Sequence, residues 1–207
     1  MLDAPNRDRQ AERREATRRE IVATAWQVAR EKGLAQLTLR EVADRVGMRA
    51  PSLYTHFASK NAIYDAMFAE AWSDYVAVVE QLPRPEESPP RAVLRLLAHT
   101  FFDFAVADLA RHQLMNQRTI PGFEPMPESY APAVRALELF RAELAALGID
   151  RPEDVDLCVA VTGGLVDAQL ANDPGGDRWR RLVDRAVDMV ADHLGLPPDP
   201  AADTSQE

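Results

Sequence analysis

The sequence predicts an all-α protein in two parts, a small three-helix N-terminal domain and a larger helical C-terminal domain. Three observations carry that expectation. Apolar residues recur at helical spacing in almost every segment, and alternating strand patterns are essentially missing. Prolines and glycines fall between the periodic segments, prolines mostly at helix beginnings and glycines at helix ends.

Taken in order, residues 1–12 are expected to be a flexible arm and Arg13–Lys32 the first helix. Ile21, Ala25, Val28 and Ala29 form its apolar stripe, and Gly33 stops it. Thr38-Leu39-Arg40-Glu41 has the capping-box form and opens a short helix that ends at Gly47. Ala50–Phe57 is the next helix, and Ser59 caps a longer one reaching Gln81, before Pro83 and Pro85. Arg91–Asp108 carries Leu94, Leu97, Phe101, Phe104 and Ala105 on one face. A short helix at Leu109–Gln117 leads into the loop Ile120–Pro127, which holds three prolines and a glycine. Glu128–Leu147 ends at Gly148, and Asp150-Arg151-Pro152-Glu153 gives a second capping signal for a helix running to Ala171. The turn 172–177 precedes the last helix, Arg178–Leu194, and residues 196–207 are expected to be a disordered tail.

Composition narrows the class. A hydrophobic fraction of 46% is that of an ordinary globular chain, and no stretch approaches the roughly 20 apolar residues of a membrane helix. The charged N-terminus lacks the apolar core of a secretory signal, and the single cysteine, Cys158, leaves no internal disulfide. A cytoplasmic location without membrane contact is the expectation. The net charge of −9 is unevenly divided. Residues 1–60 hold 12 Arg and Lys against 8 Asp and Glu, a net of +4, and residues 61–207 hold 12 against 25, a net of −13. Because electrostatic attraction is local and screened beyond roughly 8 Å at physiological salt, the basic first part remains competent for a polyanion.

That first part, 13–60, has the form of a helix-turn-helix domain. Leu39, Val42, Ala43 and Val46 give its second helix a buried side, Gly47 makes the turn, and Met48 fills the corner. Leu53 and Phe57, four apart, hold the third helix to the core. Arg49, Ala50, Ser52, Thr55 and His56 are then left facing outward, with Tyr54 at the edge. These are small or hydrogen-bonding residues, suited to approaching base edges in a major groove. The helix N-termini at Thr38 and at Ser59-Lys60 present unpaired N–H groups that attract phosphate. Arg40, Tyr54, His56 and Lys60 are therefore the expected positioning contacts, and Arg49, Ser52 and Thr55 the expected base-reading residues. Arg14, Arg18 and Arg19 on the first helix are placed to reach backbone or minor groove.

Residues 13–65 resemble the DNA-binding domain of the TetR family of bacterial transcriptional regulators. The resemblance rests on Thr38, Leu39, Val42, Ala43, Val46, Gly47, Ser52, Leu53, Tyr54, His56, Phe57 and Lys60, all in register. Arg49 departs from the pattern, standing where the family usually has a capping Ser or Thr. Such a loss costs about 1 kcal/mol, offset in part by Pro51 at the first turn.

The resemblance implies that residues 61–195 form a helical ligand-sensing and dimerisation domain. It also implies a homodimer on palindromic double-stranded DNA, acting as a ligand-responsive repressor with an unidentified small-molecule effector and no cofactor. Candidate dimer residues are Ala160, Gly164 and Ala168 on one helix with Val187 and Val190 on the last. Candidate pocket residues are Trp72, Tyr75, His99, Phe102, Met115, Phe123, Met126 and Phe140.

Other classes have less behind them. No nucleophile–base pairing, phosphate loop or metal-ligand spacing suggests an enzyme, and no catalytic or metal residue is expected. Redox sensing through Cys158 conflicts with its apolar surroundings. An architectural DNA protein conflicts with the strongly acidic second part.

Overall fold

The structure is a computed structural model that describes residues 4–83 and 88–199, with side chains from residue 9 onward. Among the described residues all regular structure is helical. The α-helices are α1 (Ala4–Lys32), α2 (Leu39–Val46), α3 (Ala50–Leu53), α4 (Lys60–Glu80), α5 (Pro90–Val106), α6 (Leu109–Asn116), α7 (Pro127–Ala146), α8 (Pro152–Asn172) and α9 (Val183–His193). Short 3-10 turns at Leu34–Gln36 and Arg180–Leu182 precede α2 and α9. The expected all-α class is what the structure has.

The chain divides into two compact units. The first comprises the chain up to Ser73 together with Ala110–Ala133, and the second comprises Asp74–Leu109 with Val134 onward. The sequence boundary at residue 60 thus moves to 73. The reason is that α4 is tied into the first unit: Tyr64 Oη donates to the Leu34 carbonyl at 2.6 Å, and Trp26 Nε1 donates to Glu70 at 2.8 Å. The N-terminal arm also differs from expectation. Helix begins at Ala4, because nothing after Pro5 breaks it and a proline in a first turn forfeits no intrahelical bond. Residues 1–3 lie outside the described part.

In the first unit the α1 stripe is fully inside, with Ile21, Ala25, Val28 and Ala29 all buried, and α1 packs on α2, which packs on α3. Val42, Ala43, Leu53 and Phe57 complete the core that the periodicity indicated, joined by Ile63, Tyr64, Met67 and Phe68 from α4. The 110–133 segment adds Leu114, Met115 and Ile120 to the buried set. Its Pro121-Gly122 pair turns the chain, with Gly122 at φ 72 and the Phe123 N–H on the Ile120 carbonyl at 3.2 Å.

The second unit is built on α5, α8 and α9, which pack pairwise. Leu94, Phe102, Leu144, Val155, Val166, Val183, Val187, Val190 and Ala191 form its core. Buried Gln169 fixes the turn between α8 and α9: its Oε1 accepts from the Trp179 N–H at 2.9 Å, and its Nε2 donates to the Asp173 carbonyl. The second capping signal is not realised. Arg151 is the residue at the N-cap of α8 and its side chain caps nothing, pairing instead with Glu153, while Pro152 sets the first turn.

The expected disordered tail starts with ordered residues. Leu196 is buried, and Arg91, itself only 8% exposed, donates to the Pro197 carbonyl at 2.9 Å and the Leu196 carbonyl at 2.8 Å. Arg95 bonds Asp199 and pairs with Asp188 at 2.5 Å. Residues 200–207 lie outside the described part.

Candidate nucleic-acid interface

The interface is built on α2 and α3. Thr38 has extended backbone, and its Oγ1 accepts the Glu41 N–H at 3.2 Å, so α2 is capped as its sequence indicates. Only half of the capping box forms. The Glu41 carboxylate is held by Lys32 at 2.6 Å and Arg45 at 2.8 Å, and Arg45 also reaches Glu31 at 2.6 Å. The Lys32 ammonium and then the Arg45 guanidinium hold Glu41 below the usual carboxylate range, and Arg45 does the same for Glu31. This cluster joins the end of α1 to α2 on an exposed surface.

Gly47, at φ 77, closes α2 in the left-handed conformation that a residue with a Cβ resists. The Met48 N–H returns to the Ala43 carbonyl at 2.9 Å, completing the turn. α3 then starts at Ala50 with Arg49 at its N-cap, and the Arg49 side chain makes no capping bond. The regular helix is shorter than expected, Ala50–Leu53 instead of reaching Phe57. Beyond Leu53 the bonds are mostly three-residue ones, Thr55 N–H to Ser52 O at 3.1 Å and His56 N–H to Leu53 O at 2.9 Å. Thr55 Oγ1 also donates to the Ser52 carbonyl at 2.7 Å, the local competition that hydroxyl residues bring to a helix end.

What holds this loosely wound segment is α1. Arg14 donates to the Thr55 carbonyl at 3.1 Å, and Arg18 donates to the His56 carbonyl while its guanidinium lies 4.1 Å from the centre of the Phe57 ring. Arg18, expected to reach DNA, has its guanidinium engaged in these intrachain contacts. Arg14 and Arg18 are four apart on one face of α1, so the sequence did contain the signal, but their target depended on where α3 ends.

The remaining candidates form one surface. Thr38, Arg40, Arg49, Ser52, Tyr54 and Thr55 are exposed, and Ala50, His56 and Lys60 are half-buried. Arg40 is paired only loosely, with Asp44 at 3.9 Å. Ser59 caps α4, accepting the Ala62 N–H at 3.1 Å, which places Lys60 in the first turn. The Lys60 ammonium lies 5.4 Å from the centre of the Tyr64 ring. Two capped helix starts, each with a cation nearby, thus flank a short segment that displays a guanidinium, two hydroxyls and a phenol.

The other candidate sets are less unified. Trp72, Met115, Phe123 and Met126 belong to the first unit, and Tyr75, His99, Phe102 and Phe140 to the second. Phe102 is fully buried and Phe140 packs on the same core, while Met126 is 56% exposed. Tyr75 sits 5.6 Å from Phe101 and 5.1 Å from Phe104, and its burial pushes the phenol pKa up. His99 Nε2 meets Asp184 at 2.7 Å. A shallow cavity of about 290 Å³ in the second unit, lined by Arg141, Ala145, Ile149, Asp150, Pro152 and Val155, includes none of these candidates.

Of the dimer candidates, Val187 and Val190 are buried in their own subunit's core, which corrects their assignment. The apolar stripe of a final helix serves the intrachain core first, and periodicity does not say which partner covers it. Ala160 and Gly164 are exposed and Ala168 is half-buried. The exposed neighbours that sequence reasoning missed are Val159 at 50% and Met189 at 67%.

Comparison with known proteins bears on this geometry. Residues 21–67 match the family model described as bacterial regulatory proteins, tetR family. The HTH-type transcriptional activator FasR of Mycolicibacterium smegmatis is 31% identical over 102 residues, 49% of this chain and 46% of that protein. The tetracycline repressor protein class C of Escherichia coli is 41% identical over 54 residues, 26% of this chain and 24% of that protein. The chain thus spans less than half the length of these curated relatives. The fold is shared much further. The putative regulatory protein SCO4313 superposes with a TM-score of 0.70 at 20% identity, covering 87% of this chain and 97% of that one. The transcriptional regulator FadR from Bacillus subtilis, solved in complex with stearoyl-CoA, superposes with a TM-score of 0.63 at 16% identity, covering 83% and 96%. The match to the tetR family of bacterial regulatory proteins thus covers the helix-turn-helix segment, residues 21–67, and the helical fold is shared along most of the chain.

Proposed function

We propose that the protein is a sequence-specific DNA-binding transcriptional regulator, acting as a homodimer on a palindromic operator and responding to a small-molecule effector, with repression as its mode. The observation that carries the reading is the surface around α3. Arg49, Ser52, Tyr54 and Thr55 are exposed together, and the carbonyls of Thr55 and His56 at the end of this segment are held by Arg14 and Arg18. A rigidly held polar segment between two helix N-termini suits base edges flanked by phosphates.

The relatives' printed functions support regulation in both senses, one being an activator and the other a repressor. FadR's stearoyl-CoA supports an effector for this chain without naming one. For the dimer, the support is an α8 face with exposed Val159, Ala160 and Gly164 beside exposed Leu182 and Met189 near and on α9. Small residues there permit close approach of a second copy, and a two-fold DNA site calls for two reading heads about 34 Å apart. The relatives are regulators, which fits a chain that performs no catalysis, and no described helix is long and apolar enough to cross a membrane.

Selection of bound sequences from random DNA tests the reading. A palindrome is expected. Arg49→Ala and Thr55→Ala then relax sequence preference, each costing about 1–3 kcal/mol on the selected site, while Tyr54→Ala and Lys60→Ala weaken all duplexes alike. If no sequence is enriched, or if all four variants bind the selected site like wild type, the assignment is wrong.

A further inference from the structure

The sequence writes a capping box at Thr38–Glu41, and the fold completes only one side of it. Thr38 Oγ1 accepts the Glu41 N–H at 3.2 Å, while the Glu41 carboxylate is bonded elsewhere. It accepts from Lys32 Nζ at 2.6 Å and from Arg45 at 2.8 Å. Arg45 in turn donates to both oxygens of Glu31, at 3.0 and 2.6 Å. Glu31 and Lys32 come from the last turn of α1, Glu41 and Arg45 from α2, and the four charges sum to zero. The Glu41 side chain is the more enclosed partner, 21% exposed against 49% for Lys32.

Two demands meet at this carboxylate. Folding favours it, because a negative charge in the first turn of a helix is attracted by the partial positive charge there. DNA binding opposes it, because a phosphate approaching Thr38 and Arg40 would meet a like charge. Glu41 does not lose that charge: the Lys32 ammonium and then the Arg45 guanidinium hold it below the usual carboxylate range. Screening does not remove it either, since the screening length at physiological salt is roughly 8 Å and a helical turn is only about 5.4 Å. A completed capping box would set the carboxylate at that flank. The bond to Lys32 draws it back to the end of α1 and pairs it with a cation.

We propose that Lys32, supported by Arg45, is a positioning residue of DNA binding: it holds Glu41 out of the reciprocal cap and cancels its charge, so that the Thr38–Arg40 flank meets phosphate without a competing anion. Lys32 then acts on DNA only through Glu41 and touches no phosphate itself. The inference rests on the proposed regulatory reading and explains how an acidic residue is tolerated on that flank.

A double-mutant cycle on the full chain tests it, with the duplex selected from random DNA and an unrelated duplex as probes. Lys32→Met is expected to weaken binding to both about 3- to 10-fold, the order of one uncompensated surface charge near a phosphate. Glu41→Gln is expected to bind at least as tightly as wild type, and the double variant to match Glu41→Gln. A pair that merely braced α1 against α2 gives another pattern, in which Glu41→Gln weakens binding as much as Lys32→Met. A phosphate held directly by Lys32 gives a third: the double variant stays as weak as Lys32→Met, and the slope of log K against log salt falls by about 0.9. Either of these overturns the proposal. Thermal midpoints without DNA accompany each variant, and Lys32→Gln serves if the methionine variant loses its fold. Wild type that binds neither duplex overturns the regulatory reading itself, whereas wild-type binding without rescue by Glu41→Gln overturns only the role of Lys32.

Discussion

Arg18 shows how a residue's role follows from what its long side chain can reach. The donor to the His56 carbonyl and the stack on Phe57 are made by one planar guanidinium, and the compact ammonium of lysine has no plane with which to do both at once. Arg18→Ala is expected to lower the stability of the first unit by roughly 1–2 kcal/mol and to weaken operator binding about tenfold, with Arg18→Lys failing to restore either. Urea unfolding and an operator titration check this; rescue by lysine would mean that charge alone mattered. A second residue-scale case concerns pH. Arg180 binds Asp103 at 2.7 and 2.8 Å, and this bidentate pair holds the Asp103 carboxyl below its ordinary value of 3.8. A depressed folded pKa gives stability that is present above the unfolded value and lost as pH falls through the folded one. Acid unfolding of Arg180→Gln should therefore be less pH-dependent below about pH 4 than that of wild type, as followed by circular dichroism, and superimposable profiles would refute the linkage. The pair is half-exposed, so the change is small.

At the scale of elements, α3 and the C-terminal strap deviate most from simple reading. α3 is a short turn held by its neighbours, which is why its order depends on α1. The strap at 196–199 is bound by charge and not by a stripe of apolar residues. Buried Arg91 finds two carbonyls there, and loses both if the strap is absent. Ending the chain after Gly195 is expected to cost about 2–4 kcal/mol, from the exposed side of Leu196's pocket and from acceptors removed from a buried cation. Denaturant midpoints compare the truncated and full chains, and equal midpoints would show the strap to be passive.

On the whole-molecule scale the charge asymmetry bears on the proposed binding to DNA. A chain of net −9 approaches a polyanion only through the part that is net positive, residues 1–60 at +4. Affinity should fall steeply with salt, and Lys60→Ala should reduce the slope of log K against log salt by about 0.9 for each phosphate contact removed. An unchanged slope would remove Lys60 from the phosphate-binding set.

Much of this was legible in the residues themselves. The Ile21–Ala29 stripe, the Thr38 cap, Gly47, the Leu53–Phe57 pair and the Ser59 cap are all local: each is set by neighbours within about four positions, where helix geometry leaves few choices. The all-α class follows from them, as does the exposed polar surface on and just after α3. What the chain alone left open were pairings between distant segments. Whether Arg18 meets a phosphate or the His56 carbonyl, whether Val187 faces a second copy or its own core, and whether Phe123 lines a pocket or packs on Tyr64 are each decided by which surfaces tertiary folding brings together. An amphipathic pattern says that a face must be covered, and only the packed structure says by what.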